Sequence, residues 1–62
     1  MTVEKIKELR AKLMLTQVEF AKLLGVSFQS VNRYENGKSK PTMRIKRRIA
    51  ELCVQQGLSP ED

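Results

Sequence analysis

The chain has no histidine and no tryptophan, one cysteine, and three aromatic residues, Phe20, Phe28 and Tyr34. Each scarcity removes a class of function. Without histidine the commonest general base and metal ligand is missing, and Cys53 alone can neither close an internal disulfide nor build a transition-metal site. No phosphate-binding glycine loop and no nucleophile paired with a base are present, and the chain is too short to enclose a pocket. We therefore expect no enzyme, no cofactor and no small-molecule ligand. No apolar run approaches the ~20 residues of a membrane helix, and the N-terminus lacks the apolar core and small-residue cleavage site of a signal peptide. A cytoplasmic protein with no membrane contact is expected, and a reducing compartment suits the lone thiol. With two prolines, three glycines and no low-complexity tract, the composition also argues against disorder.

What is present is a modest core and an uneven charge. The 62 residues suffice for one domain, and a chain of that size buries only ~60% of its unfolded surface. The net charge is +5. Residues 33 to 48 hold Arg33, Lys38, Lys40, Arg44, Lys46, Arg47 and Arg48 against Glu35 alone, whereas residues 49 to 62 carry only acids. Charge gathered on one stretch favours a polyphosphate partner.

Apolar periodicity divides the chain into four short helices. Thr2 caps a first helix with Val3, Ile6, Leu9 and Leu13 on one face, and Glu8 to Lys12 makes an i, i+4 pair. Thr16 and Glu19 form a capping box for a second helix, with Leu15 and Phe20 as its hydrophobic staple. That helix turns Phe20, Leu23 and Leu24 inward, with Ala21 small enough to let a neighbouring helix approach, and stops at Gly25. Ser27 caps a third helix over Phe28 to Glu35. At 100° per residue its buried side holds Val31, Tyr34 and Ser30, and its outer side holds Phe28, Gln29, Asn32 and Arg33. Asn36 and Gly37 end it. Pro41 and Thr42 then introduce a fourth helix with an Ile45, Ile49, Leu52 and Cys53 stripe, which Gly57 stops. Two helices as short and closely joined as the second and third must cross steeply, as in a helix-turn-helix, which commonly offers its second helix to the DNA major groove. Residues 1–57 are thus one domain, and residues 58–62 read as a frayed tail.

From Ile6 to Leu52 the chain resembles the phage-repressor and Cro type of helix-turn-helix DNA-binding domain. The resemblance lies in order and spacing: Thr16, Gln17, Ala21, Gly25 and Val31, then Glu35, Asn36, Gly37, Lys38 and Pro41. It implies an all-α, lambda-repressor-like bundle of four helices in which helices 2 and 3 form the motif. Gln17 is similar to the family residue that hydrogen-bonds a DNA phosphate at a helix N-terminus. Ser27, Asn36, Lys38, Lys40 and Arg44 match positions along the sugar-phosphate backbone. Phe28, Gln29, Asn32 and Arg33 match positions facing the groove. Gln29 has the paired donor and acceptor for adenine, and Arg33 the fork for guanine. Phe28 departs from the usual polar side chain: it packs on a thymine methyl, folds down onto the core, or holds a protein. Arg10 and Glu35 resemble a structural ion pair tying helix 1 to the end of helix 3.

The implied function is sequence-specific binding of double-stranded DNA in transcription regulation, on a palindromic site. A homodimer would use a patch at the end of helix 4 with Val54 and Leu58, or form only on DNA. The rival is a protein-interaction module, an antitoxin or adaptor, that keeps the fold and uses the Phe28 face.

Overall fold

Four hydroxyl side chains start four helices. In the computed structural model, which describes residues 2–59, these are α1 (Val3–Lys12), α2 (Gln17–Leu24), α3 (Phe28–Glu35) and α4 (Met43–Gln55). Thr2, Thr16, Ser27 and Thr42 stand in extended backbone just before them. Each side-chain oxygen accepts the N–H of the third helical residue, Lys5, Glu19, Ser30 and Ile45 respectively. A cap of this kind is worth ~1 kcal/mol. At α2 the box is closed, because the Glu19 carboxylate also accepts the Thr16 N–H at 2.9 Å.

The four ends are also alike. Met14, Gly25, Gly37 and Gly57 take positive φ, and the N–H of the following residue reaches back five positions, Leu15 to Arg10, Val26 to Ala21, Lys38 to Arg33 and Leu58 to Cys53. This closure satisfies carbonyls that a helix end leaves open. In three cases the following residue is apolar and packs on the core: Leu15, Val26 and Leu58. The third helix differs, since there the residue is the exposed Lys38. Leu58 also corrects the expected tail, because the turn at Gly57 folds it back against the core. The rest of that tail from Pro60 onward lies outside the described residues.

Ile6, Leu9, Phe20, Ala21, Leu24, Val31, Tyr34, Ile45, Ile49, Leu52 and Cys53 form one core, with Phe20, Leu9, Ile49, Val31 and Cys53 fully buried. Complete burial of a side chain of this kind contributes ~1.5–3 kcal/mol. Helix α2 packs chiefly on α3, α1 lies against α3 and α4, and α4 also touches α2, so the outer face of α3 stays uncovered. Two expectations change. Leu23 is 37% exposed while Ala21 is buried as its small size allowed, because the buried arc of α2 is centred between Phe20 and Ala21, about 100° from Leu23. Glu8 pairs with Lys5 at 2.9 Å, toward the N-terminus, and that contact draws the Lys5 stem into the core edge.

Candidate nucleic-acid interface

Helix α3 is held by its inner side and free on its outer side. Val31 and Tyr34 are buried, while Phe28, Gln29 and Arg33 are exposed, Phe28 at 46%. An aromatic ring left half in water, beside an amide and a guanidinium, makes a mixed surface that suits base edges and methyl groups better than plain solvation. Ser27 is exposed at the start of the helix, but its hydroxyl is engaged, accepting the Ser30 N–H at 3.2 Å and sharing a 3.0 Å bond with the Ser30 hydroxyl. Ser30 is half-buried, so it stands at the edge of the inner face.

Behind this face lies a polar network. Arg10 donates through Nε to Glu35 Oε2 at 2.6 Å and through Nη2 to Glu35 Oε1 at 3.0 Å, and its Nη1 reaches the Leu15 carbonyl at 3.1 Å. Glu35 is 4% exposed and accepts a further bond from Gln17 Nε2 at 3.1 Å. Burial pushes the Glu35 carboxyl up, but the bonds from Arg10 and Gln17 and the charges of Arg10 and Lys7 outweigh it, and the group lies below its ordinary value. The hydrogen bond to Glu35 likewise holds the Arg10 guanidinium above its ordinary value, against the effect of burial. Asn32 is half-buried; its Nδ2 approaches Gln17 Oε1 at 3.4 Å and its Oδ1 accepts from Asn36 Nδ2 at 3.0 Å. Gln17 and Asn32 are therefore engaged with each other and with the ion pair, unlike Gln29 and Arg33. The Asn32–Asn36 contact is legible in their i, i+4 spacing. Nothing local in the sequence signals the Gln17–Glu35 contact across eighteen residues.

The basic residues extend the same stretch. Lys38, Lys40 and Arg44 are exposed along the α3–α4 connection and the first turn of α4. Because Arg10 is bonded to Glu35, the single acid of this stretch does not offset its surface charge. Arg47 and Arg48 line a shallow cleft with Arg44, Leu24, Ile45 and Glu51, between α4 and the end of α2. Burial pushes the Cys53 thiol up, with Lys5 and Glu8 acting in opposite directions, so the thiol is a core side chain and a poor nucleophile. No described helix is long and apolar enough to cross a membrane.

Residues 6–53 match a family model described as helix-turn-helix. The chain is 51% identical over 57 residues to antitoxin PezA of Streptococcus pneumoniae, covering 92% of this chain and 34% of that protein. It is 40% identical over 48 residues to an uncharacterized HTH-type transcriptional regulator of Archaeoglobus fulgidus, covering 77% of this chain and 68% of the relative. A third relative, named as an HTH-type transcriptional regulatory protein of Pyrococcus furiosus, is 36% identical over 59 residues, covering 95% of this chain. The chain spans 19% of the Pyrococcus protein and 34% of the Streptococcus one. No solved structure matches it significantly.

Proposed function

The chain belongs to the helix-turn-helix family, and from that premise we propose that it binds double-stranded DNA sequence-specifically, as the non-enzymatic DNA-binding domain of a transcriptional regulator. Helix α3 enters the major groove. Gln29 and Arg33 read base edges, and Phe28 packs its ring edge on a thymine methyl. Gln17, Ser27, Asn36, Lys38, Lys40 and Arg44 follow the sugar-phosphate backbone and set the register. At the start of α2 the N–H groups of Gln17 and Val18, which precede the capped Glu19 N–H, lack intrahelical partners and join the Gln17 side chain in meeting a phosphate. The observation that carries this reading is an uncovered α3 face, bearing Phe28, Gln29 and Arg33, followed directly along the chain by the exposed cations Lys38, Lys40 and Arg44. The target is a palindrome, occupied by two copies.

Selection of bound duplexes from a random pool tests the reading directly. One enriched sequence is the expected result; an unenriched pool would sink it. On the enriched site, Gln29→Ala should cost ~1–3 kcal/mol at particular base pairs, while Lys38→Ala weakens every duplex alike. Equal loss on selected and scrambled duplexes for both variants would refute this division of labour.

A second reading has support in the antitoxin relative: the same fold holding another protein through the Phe28 face. Salt separates the two. Duplex affinity falls steeply with ionic strength, whereas apolar capture of a protein through Phe28 does not.

A further inference from the structure

Asn32 shares the outer side of α3 with Gln29 and Arg33, yet it is half-buried where they are exposed. Both ends of its amide are occupied, the oxygen by Asn36 Nδ2 at 3.0 Å and the nitrogen facing Gln17 Oε1 at 3.4 Å. Gln17 in turn donates to Glu35 at 3.1 Å, and Glu35 is clamped by Arg10. The contacts run without a gap from α1 through α2 and α3 to the residue that ends α3. Bidentate pairing with adenine requires the oxygen and an N–H of one amide to be presented together. In Asn32 these groups are turned to its two neighbours.

We propose that Asn32 is a positioning residue and not a base reader. It fixes the side-chain amides of Gln17 and Asn36, one at the start of α2 and one at the end of α3, so that two backbone-gripping groups are held at a set spacing before a duplex arrives. The inference rests on the duplex-binding reading above and narrows it, leaving Phe28, Gln29 and Arg33 to select sequence. Groups ordered in advance need not be ordered on binding, which is worth roughly two- to tenfold in affinity per side chain.

Asn32→Ala removes the link while keeping a strong helix former. In the free protein, 15N relaxation of the side-chain amides should show Gln17 and Asn36 gaining motion while Gln29 is unchanged. On a panel of duplexes differing at single base pairs, affinity should fall by roughly two- to tenfold on all members in the same ratio. Gln17→Ala should also cost less in the Asn32→Ala background than alone. A loss confined to one base pair would overturn the proposal, and so would unchanged mobility of Gln17 and Asn36. Mobilised amides in a chain whose unsubstituted form binds no duplex would uphold the relay and overturn the DNA reading.

Discussion

Met14 stands alone among the residues that end helices, because it takes φ 59° with an L side chain where Gly25, Gly37 and Gly57 serve elsewhere. The left-handed region costs such a residue ~1–2 kcal/mol, and Met14 is 89% exposed, so little packing offsets that cost. Met14→Gly should therefore stabilise the fold by ~0.5–1 kcal/mol after the greater freedom of an unfolded glycine is subtracted. Chemical denaturation checks this, and a variant no more stable than the parent would refute the strain. Glu35 is the second residue with a measurable signature. Its carboxyl titrates below its usual value when folded, so on acidification the unfolded chain takes up the proton first. The stability it contributes is present above about pH 4.3 and lost as pH falls through the folded value. Glu35→Gln should lose ~1–3 kcal/mol at neutral pH and then decline less steeply in acid than the parent. Glu19, also held low by its bonds to Thr16, keeps its own acid sensitivity in both proteins. Parallel pH profiles would show that Glu35 is not the group responsible.

At the scale of the element, α4 carries a conflict between its own stability and its surroundings. Its first turn holds Arg44 and Lys46 with no acidic residue, although a cation there opposes the helix dipole. Arg44→Glu should stabilise the isolated fold by ~0.3–1 kcal/mol at low salt and weaken duplex binding at the same time. Thermal unfolding and duplex titration of one preparation read both; a variant that gains stability without losing affinity would remove Arg44 from the interface. Element boundaries were legible because their causes are local. Thr2, Thr16, Ser27 and Thr42 each cap a nitrogen three residues on, and Gly25, Gly37 and Gly57 mark left-handed turns by composition alone. Met14 ends α1 in the same way without any such mark, so its turn was not readable. The exposure of Leu23 escaped for another reason: periodicity defines an apolar arc, but the neighbouring helices decide which edge of it is covered. The outer positions Phe28, Gln29 and Arg33 follow from angular spacing, since one inner side is enough to leave the other free. The engagement of Gln17 and Asn32 depends on how α2 meets α3, which is a tertiary fact.

At the scale of the molecule, the described residues span 27 × 20 × 19 Å. One helical turn of DNA is ~34–36 Å, so on the proposed binding mode one copy would reach a single major-groove segment, and the next groove on the same face would need a second copy. At the end of α4 the surface offers that pair little apolar area. Leu58, one half of the expected contact patch, is folded onto the core, which leaves Val54 as the exposed large apolar residue on the C-terminal half of α4. One exposed valine per copy falls well short of the ~1,000 Å² a stable interface needs. The 62-residue chain should then sediment as a monomer alone and as two copies on a palindromic duplex. Charge supplies an independent count. If Lys38, Lys40 and Arg44 each neutralise one phosphate, log affinity against log salt should have a slope of about −3 on a single half-site and about −5 to −6 on the full site. Pairing through protein contacts would give a dimer in the absence of DNA, and a slope near zero would mean that the cations do not face phosphate at all. The doubling of slope, together with a monomer in free solution, is the combination that two copies assembled by the duplex alone would produce.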